Sequence, residues 1–245
     1  MINHKTLPII NVFEKKSGFN QISFFKNIIF WIDIVKKGEK YTHSIFAKPF
    51  NQKDSISQKL TGDEFNVKSN FHGYGGKSYQ CIEVDEKLYL VWIDQFSQSI
   101  WFQIFKVNEL KNINENRYLL CENQPKQLVE KSKGNFDSSF VVLYGNILLG
   151  IYEFNDKDYL YSIDMRKSKQ KIIILKEFDD FAGNLSLSKN GEILSWLEWN
   201  TSFMPWEKNE LFFARINQNG ELDKIEKFKN NIINLNKNVS FFQPY

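Results

Sequence analysis

The chain is poor in the residue types that several protein classes require. Its 245 residues include only two cysteines and three histidines, which are not at zinc-ligand spacing. Two thiols alone do not complete a four-ligand zinc site. Both cysteines lie in apolar, strand-like contexts, so we expect reduced, buried thiols in a cytoplasmic protein with no metal and no other cofactor. The cysteines are Cys81 and Cys121, and the histidines are His4, His43 and His72.

Charge and hydrophobic runs exclude further classes. The net charge is +3, from 32 basic and 29 acidic residues, and the lysines are spread along the chain without a run of five. This pattern favours a solvated surface over a nucleic-acid-binding stripe. No apolar run approaches the roughly 20 residues of a membrane span, and the N-terminus lacks the apolar core of a signal peptide. We therefore expect no nucleic-acid partner and no membrane.

Aromatic residues, in contrast, are abundant and fall into a repeating pattern. They make up 16% of the chain, whereas proline is limited to 5 residues, which favours strands. Four similar apolar segments begin at Asn27, Glu86, Gly145 and Gly191, at intervals of 59, 59 and 46 residues. Each follows a short strand-like segment, and most are followed by further strand patterns. Units of four strands at this period are typical of a β-propeller.

The turn signals also favour a propeller. Asn190-Gly191 and Tyr144–Asn146 are predicted to form tight hairpin turns with positive φ between the first and second strands of a unit. A β-sandwich is the alternative, but its turn signals lack the longer period. The sequence therefore predicts an all-β fold, a partial β-propeller of about four four-stranded blades.

The predicted blades cover roughly residues 20–62, 77–125, 136–177 and 182–230. The segment 239–245 has the pattern of the opening strand of a fifth blade, so the ring is not closed. A propeller closes its ring to remove sheet edges. We expect the isolated chain to be marginally stable or to self-associate, since it exposes the blade that holds Ile28–Ile34 at one end and Val239–Phe242 at the other.

The stretch WLEWNTSFMPWEKNEL, residues 196–211, resembles a known family. In the dipeptidyl aminopeptidase/acylaminoacyl peptidase branch of the prolyl oligopeptidase family, a strand ending in Trp-Leu-x-Trp precedes a Met-Pro-Trp-acid loop and a strand that opens with Glu-Leu. These serine peptidases carry an N-terminal β-propeller and a C-terminal α/β-hydrolase domain. The matching positions are Trp196, Leu197, Trp199, Met204, Pro205, Trp206, Glu207, Glu210 and Leu211.

Two further segments resemble the same family in the same order. FNVKSNFHGYGG is similar to the family's Phe-Asn-Val-Arg-Ser and His-Glu-Tyr-Gly-Gly, and VSFFQPY is similar to the strand that opens its next blade. Lys68 replaces an arginine, which removes a bidentate fork, and Gly73 stands where the family has glutamate. The matching positions of the first segment are Phe65, Asn66, Val67, Ser69, His72, Tyr74, Gly75 and Gly76.

The catalytic half of that family has no counterpart in this sequence. The hydrolase requires a Gly-x-Ser-x-Gly elbow followed by aspartate and histidine. The sequence has no such elbow and no histidine after His72. We expect no catalytic residue and no peptidase activity in this chain. Met1 has the pattern of a natural start, so we expect the hydrolase domain to be missing at the C-terminal end.

The resemblance implies a set of candidate residues in two loops. Loops between blades share a face with loops between the second and third strands of a blade, so residues 67–78 and 200–209 are expected on one face. His72 either contacts substrate or positions an acid, or it is a satisfied structural group. Trp206, in a loop, is a candidate for contact with a partner. The full candidate set is His72, Tyr74, Gly75, Gly76, Met204, Pro205, Trp206 and Glu207.

Other residues of these motifs have structural interpretations. Gly75 and Gly76 are expected to permit a backbone conformation that other residues resist. Trp196 and Trp199 are three positions apart, so on one strand they face opposite sides, and one of them is expected between blades.

Three functions are consistent with the sequence. The first is the non-catalytic propeller portion of a serine exopeptidase or oligopeptidase, which gates the access of short peptides to an α/β-hydrolase domain. The second is a free-standing propeller module that binds a peptide or protein partner. The third is a split enzyme, whose hydrolase domain is a separate chain. The partners implied are the hydrolase domain and short peptide substrates.

Overall fold

Seventeen strands and one short 3-10 turn make up the regular structure of the described residues. The computed structural model describes residues 20–50, 56–73, 75–84, 87–106, 125–131 and 133–229. The strands form four antiparallel sheets, and in each sheet four strands lie side by side in chain order. This meander is the blade of a β-propeller, so the predicted fold class, a partial propeller of four blades, is confirmed.

The first two sheets are formed by residues on either side of a long linker. The first contains β1 (Asn20–Phe25), β2 (Ile28–Lys37), β3 (Lys40–Pro49) and β4 (Gln58–Lys59). A 3-10 turn, Phe71–Gly73, follows in the linker. The second sheet contains β5 (Tyr79–Val84), β6 (Lys87–Asp94), β7 (Ser99–Lys106) and β8 (Lys126–Gln127).

The third sheet has one additional strand. It contains β10 (Val141–Leu143), β11 (Ile147–Phe154), β12 (Lys157–Asp164) and β13 (Ile173–Glu177), and the short β9 (Asn135–Phe136) also pairs with β11. The fourth sheet contains β14 (Phe181–Leu187), β15 (Ile193–Trp199), β16 (Glu210–Ile216) and β17 (Leu222–Lys227). The blade limits predicted from the sequence stay predictions, because sheet pairing alone does not fix them.

The inner strands of the second and third sheets are apolar because a neighbouring sheet covers each of their faces. Five consecutive residues of β6, from Leu90 to Asp94, are buried, and so are five of β11. The outermost strand of the fourth sheet is different, since β17 has five exposed residues of six and alternates acidic and basic side chains. Such charges keep the exposed edge of a sheet from pairing with other chains.

Three hydrophobic layers join the four sheets in chain order. The first layer packs β2 and β3 against β5 and β6 around Phe30 and Trp92, the second packs the second sheet against the third, and the third packs the third sheet against the fourth. Among the described residues no such layer joins the fourth sheet to the first. The described part of the ring is therefore open, as predicted. The expected fifth-blade strand, 239–245, lies outside the described residues.

The first sheet, expected at one end of the open arc, has apolar side chains that reach solvent. Ile28 and Phe30 of β2 are buried. The apolar side chains that reach solvent include Ile22, Phe24 and Phe50, of which Phe24 and Phe50 pack edge to face. The prediction for Val239–Phe242 falls outside the described residues.

The two predicted hairpin turns have different backbone conformations in the structure. Tyr144 and Gly145 both have positive φ, as predicted. At Asn190-Gly191 only the glycine does, and residues 188–192 form a longer loop, so the two-residue turn predicted there is wrong. The reason is local, because Asn190 Oδ1 accepts hydrogen bonds from Ser188 Oγ and from the backbone N–H of Glu192.

The two tryptophans of β15 lie on opposite sides of the fourth sheet. Trp196 is fully buried in the third layer, between Phe178 and Phe212. Trp199 is half-buried and stacks on Phe181. Cys81, on β5, is largely buried as expected, and burial raises its pKa to about 12. Cys121 lies outside the described residues. No helix in the described part of the chain is long and apolar enough to cross a membrane.

The inter-sheet layers predict where stability resides. Leu148 is fully buried in the second layer, whereas Ile225 on β17 is exposed. We expect Leu148→Ala to lower the free energy of unfolding by about 2–5 kcal/mol through lost burial and a cavity. Ile225→Ala, the control, should change it by less than about 1 kcal/mol. Urea unfolding monitored by tryptophan fluorescence measures both, and equal effects would contradict the layered packing.

Candidate functional site

The linker loop, defined here as residues 67–78, connects the first sheet to the second and is anchored to the third. Ser69 Oγ donates a hydrogen bond of 2.6 Å to the carbonyl oxygen of Phe136 in β9. The backbone N–H of Ser69 donates to Ser78 Oγ at 3.1 Å. Both serines are buried, and these bonds replace the water that their polar groups lose. The linker loop is therefore anchored in the protein interior and does not simply lie on the surface.

Asn66 fixes the path of the chain into the linker loop. Its side-chain Oδ1 accepts from the backbone N–H of His43 at 2.8 Å, and its Nδ2 donates to Gln95 Oε1 at 2.7 Å. Its own backbone N–H donates to Asp94 Oδ1 at 2.8 Å. A side chain with both a donor and an acceptor is needed here, which asparagine provides. Lys68, the departure from the family's arginine, is exposed.

His72 lies at the tip of the linker loop in a left-handed conformation, with φ 51° and ψ 26°. Its Nε2–H donates to Asp158 Oδ2 at 2.8 Å, and the side chains are only 5% and 1% exposed. The ring stacks on Phe71 and meets the edges of Phe181 and Trp199, with centroids 4.8 and 5.8 Å away. The strained backbone is thus held by the contacts of the side chain.

Two carboxylates of the third sheet accept hydrogen bonds from the linker loop. Asp158 Oδ2, at the start of β12, also accepts the backbone N–H of Ala182 in β14 at 2.8 Å. Glu153 Oε2, near the end of β11, accepts the backbone N–H of His72 at 2.9 Å and Asn135 Nδ2 at 3.1 Å. Asp158 therefore links the linker loop, the third sheet and the fourth sheet through one oxygen atom.

The three glycines of the linker loop have different roles. Gly75 has φ +80°, and a Cβ there would lie 2.7 Å from the carbonyl oxygen of Ser69, so its conformation is the one expected. Gly76 has no positive φ. A Cβ at Gly76 would instead lie 2.6 Å from Asp137 Oδ1, so the expectation of an unusual backbone is wrong there and close approach is the reason. Gly73 has φ +77° with open space around it.

Asp137 is a fully buried carboxyl group behind the linker loop. Ser139 Oγ donates a short hydrogen bond to its Oδ2. Burial raises the pKa of Asp137, and the hydrogen bond with Ser139 and the charges of His72 and Lys77 oppose this rise without cancelling it. Burial also raises the pKa of the nearby Tyr161 hydroxyl, which has no hydrogen-bond partner among the described residues.

The Met-Pro-Trp loop, defined here as residues 200–209, connects β15 to β16. The backbone N–H of Met204 donates to Glu207 Oε2 at 2.8 Å, and the backbone N–H of Glu207 donates back to the carbonyl oxygen of Met204 at 2.9 Å. Asn209, which is buried, donates through Nδ2 to the carbonyl oxygen of Pro205. This closed turn leaves Met204 50% and Trp206 65% exposed.

The two loops lie at the same end of the sheets. In an antiparallel meander the turn between the second and third strands and the connection to the next sheet come at one end. Trp199 closes β15 just before the Met-Pro-Trp loop and touches the ring of His72. The structure therefore brings the two predicted loops together around Phe181 and Trp199. Tyr74 lies outside the described residues, and the roles proposed for all eight candidate residues stay predictions.

Two cavities flank this arrangement. An axial groove of about 660 Å³ lies between the innermost strands β5, β10 and β14, and its polar lining includes Gln80, Ser139 and Asn184. A second cavity of about 220 Å³ lies beside the Met-Pro-Trp loop, between the start of β14, the end of β15 and the start of β16. Within the described ranges no group of three or more metal-ligating side chains occurs.

Sequence reasoning missed the carboxylates that hold His72. The resemblance pointed to residues of the two loops, but Asp158 and Glu153, which accept hydrogen bonds from His72, come from the third sheet. A local signal existed, since Asn155 and Asp156 both have positive φ and form the tight turn between β11 and β12 that sets Glu153 and Asp158 at one end of the sheet. His72 and Asp158 are 86 residues apart in the sequence, so their contact is visible only in the three-dimensional structure.

The site can bind and position groups, but its described residues do not form a hydrolytic triad. His72 uses Nε2 to reach Asp158 and is enclosed by Phe71, Phe181 and Trp199. A catalytic histidine requires a nucleophile within hydrogen-bond reach of its other nitrogen, with the carboxylate as orienting group. The sequence contains no Gly-x-Ser-x-Gly elbow.

Solved structures of several serine peptidases match most of this chain. The puromycin-hydrolyzing peptidase of Mycobacterium tuberculosis matches with a TM-score of 0.66 and 14% identity, over 86% of this chain and 32% of its own. Puromycin hydrolase matches with a TM-score of 0.67 and 16% identity, over 86% and 32%. The acylaminoacyl peptidase of Pyrococcus horikoshii matches with a TM-score of 0.52 and 12% identity, over 89% and 33%.

These matches establish the fold. The chain spans about a third of the length of the peptidases it matches, and the matched part is their propeller domain. The resemblance inferred from three short motifs is thereby confirmed at the level of the fold. No family model matches the chain, and neither does any curated protein sequence. Function is a property of sites rather than folds, so it requires a separate argument.

The geometry at Gly75 gives a test of the linker loop. In Gly75→Ala the new Cβ is strained by the left-handed backbone and also clashes with the Ser69 carbonyl oxygen. Gly73→Ala, the matched control, has the same backbone strain, but its Cβ lies in open space. We expect Gly73→Ala to cost about 1–2 kcal/mol of unfolding free energy, and Gly75→Ala to cost at least about 1 kcal/mol more because the loop must shift. Thermal and urea unfolding measure the difference. A Gly75→Ala variant no less stable than Gly73→Ala would refute the anchored loop.

The raised pKa of Asp137 predicts a pH-dependent stability. The folded chain holds this proton more tightly than the unfolded chain, so the group's contribution to stability is greatest below its unfolded pKa of about 4 and is lost as pH rises through the folded pKa. Asp137→Asn removes that dependence. We expect the variant to gain stability relative to the native chain as pH rises from about 4 to 8.

Urea unfolding across that pH range measures the change, and Asp223→Asn, at an exposed position of β17, is the control. A constant difference between the Asp137→Asn variant and the native chain across the range would contradict the raised pKa.

Proposed function

We propose that this chain is the non-catalytic propeller portion of a serine peptidase of the prolyl oligopeptidase family. The observation that carries the proposal is the match over 86% of this chain to propeller domains that make up about a third of two puromycin-hydrolysing peptidases. The three motifs that resemble the dipeptidyl aminopeptidase and acylaminoacyl peptidase branch support the same family and favour an exopeptidase that acts on short peptides.

In this proposal an α/β-hydrolase domain, in the same or a separate chain, carries out the hydrolysis. The sequence supplies no Gly-x-Ser-x-Gly elbow and no histidine after His72, so the nucleophile and its base have to come from elsewhere. His72 keeps a structural role, in which its bond to Asp158 holds the linker loop in place beside the Met-Pro-Trp loop.

The Met-Pro-Trp loop is proposed as a contact surface for the hydrolase domain. Methionine and tryptophan are enriched at protein interfaces, and tryptophan is over-represented among their energetic hot spots. Met204 and Trp206 are both largely exposed, although their loop is closed by the reciprocal bonds of Met204 and Glu207. A rigid loop that presents two large apolar side chains loses little entropy on binding, which favours association.

The axial groove is proposed as the path that selects short peptides. Its volume of about 660 Å³ is within the range of small-ligand sites, about 300–1,000 Å³. Lys77, Glu83 and Lys189 place both charge signs along it, and Ile82 and Leu187 add apolar surface. In this proposal the groove accepts an extended peptide, as expected of a gate for short peptides.

A fluorophosphonate probe tests the proposal directly. We expect an antibody against this chain to precipitate, from the cells that make it, a serine hydrolase that the probe labels and that cleaves aminoacyl or dipeptidyl chromogenic amides. The purified chain of residues 1–245 is the control and should take up no label, because it has no nucleophile elbow.

The size of the labelled polypeptide distinguishes the arrangements. A label on the polypeptide that the antibody recognises indicates one chain, and a label on a co-precipitated polypeptide indicates a split enzyme. A precipitate without any labelled hydrolase would refute the proposal and favour a free-standing binding module. Stoichiometric labelling of a serine in the purified chain would contradict its non-catalytic assignment.

A further inference from the structure

The innermost strand of each sheet has one edge that pairs with no other strand, and the axial groove lies between three of these strands. Such an edge carries a row of backbone N–H and C=O groups that another extended chain can use. Most of these edges are interrupted, because β1 and β14 contain β-bulges and residues 137–140 separate β9 from β10 in the third sheet. Among the described residues, β5 is the innermost strand that runs unbroken, with six consecutive residue pairs to β6.

The hydrogen-bond pattern of β5 determines which of its residues face the groove. In an antiparallel pair, opposite residues alternate between pairs that exchange backbone hydrogen bonds and pairs that do not. The backbone N–H of Ile93 donates to the carbonyl oxygen of Ser78 at 2.9 Å, so these two residues form a hydrogen-bonded pair. Every second residue after Ser78 therefore also bonds to β6, and the residues between them turn their N–H and C=O groups toward the groove. These residues are Tyr79, Cys81 and Glu83.

The side chains of β5 leave this backbone edge open. Cys81 packs against the first hydrophobic layer and Ile82 against the second, so both side chains point sideways, between the sheets. The residues from Gln80 to Glu83 nevertheless line the groove, so the surface that β5 presents there is largely its backbone. Within the described ranges the groove-facing N–H groups of Cys81 and Glu83 have no hydrogen-bond partner.

The size of the groove fits one extended segment. Tyr79 and Glu83 are four positions apart, which corresponds to about 13 Å along a strand, the length of a peptide of about five residues. The groove volume of about 660 Å³ is within the range of small-ligand sites, about 300–1,000 Å³. Ser139 and Asn184, from the neighbouring sheets, offer polar side chains to the other edge of such a peptide.

We propose that a short peptide binds in the axial groove as an additional strand on β5, through main-chain hydrogen bonds to Tyr79, Cys81 and Glu83. The choice of a peptide as the ligand rests on the proposed function. Because backbone groups are common to all residues, this mode of binding recognises an extended chain and not a particular sequence. A segment whose backbone groups are already paired inside a folded domain cannot bind in this way.

Amide hydrogen exchange locates the binding on the full chain. The probe is N-acetyl-Thr-Val-Thr-Val-Thr-amide, which is uncharged and rich in strand-forming residues. At a peptide concentration of ten times Kd, we expect NMR-detected exchange at Cys81 and Glu83 to slow about tenfold, because the bound fraction is protected. The amides of Gln80 and Ile82, which bond to β6, are the internal controls and should change little. Unchanged exchange at Cys81 and Glu83 would overturn the proposal.

Methylation of the peptide nitrogens tests the main-chain bonds. An extended peptide turns only alternate N–H groups toward β5, so methyl groups on its two valine nitrogens leave one edge intact. In calorimetric titrations we expect this peptide to bind within about threefold of the unmodified one. The peptide methylated at every nitrogen should bind at least about tenfold more weakly, since it loses several hydrogen bonds. Equal affinities of all three peptides, or no binding of the unmodified one, would refute strand addition.

Proline substitutions test the same bonds from the side of the protein. Proline is tolerated in an edge strand where its nitrogen faces away from the sheet, so Cys81→Pro removes a groove-facing N–H but leaves the ladder to β6. We expect Cys81→Pro to weaken the unmodified peptide about tenfold, whereas Cys81→Ala, the matched control, keeps the N–H and the affinity. Glu83→Pro and Glu83→Ala repeat the comparison at an exposed side chain, which keeps the test decisive if Cys81→Pro does not fold. Unchanged affinity in a proline variant that circular dichroism shows to be folded would contradict the proposal.

These outcomes are separate from the test of the proposed function. The exchange and titration experiments need no hydrolase domain and measure only whether β5 accepts an added strand. Binding of the peptide at β5 without a co-precipitated hydrolase would keep the strand assignment and remove the peptidase. A co-precipitated hydrolase together with unchanged exchange at Cys81 and Glu83 would keep the peptidase and remove the strand assignment.

Discussion

The hydrogen bond between His72 and Asp158 is the interaction on which the candidate site depends. It joins residues 86 positions apart, both almost fully buried, and Asp158 uses the same oxygen to hold the backbone of Ala182 in the fourth sheet. Loss of either partner leaves a buried polar group unsatisfied, which costs about 1–3 kcal/mol or more for a charged group. Around this bond the linker loop, the third sheet and the fourth sheet take fixed positions. Trp199 is thereby held beside the Met-Pro-Trp loop.

The packing of the four sheets holds the loops of the site in a fixed arrangement. The inner strands of the second and third sheets are covered on both faces by neighbouring layers, so these sheets cannot slide past one another without opening close-packed interiors. All connections that carry motif residues come to one end of the stack, while the innermost strands leave a groove along its axis. A rigid scaffold with functional loops at one end is the usual division of labour in folds of this type. It suits the proposed function of a domain that selects peptides for a hydrolase.

The sequence contains enough to predict the fold but not the contacts of the site. The repeat of apolar segments can be recognised in the sequence because strands that are covered on both faces are apolar along most of their length, as β6 and β11 are. The conformations of the loops were predicted less accurately. Ser188 and Asn190 hydrogen-bond the backbone and lengthen a turn that the Asn-Gly pair indicated as tight, and Gly76 is required by Asp137, not by its own φ. The carboxylate partners of His72 were missed, since sequence spacing carries no information about which sheet ends meet.

The most direct test of the peptidase-propeller assignment is an experimental structure of this chain together with the serine hydrolase domain that a fluorophosphonate probe labels. The account predicts that the hydrolase domain packs on the loop end of the sheets, with Met204 and Trp206 buried in the interface. It also predicts that the labelled serine faces the mouth of the axial groove. A hydrolase domain bound at the opposite end of the sheets, with Trp206 still exposed to solvent, would contradict the account.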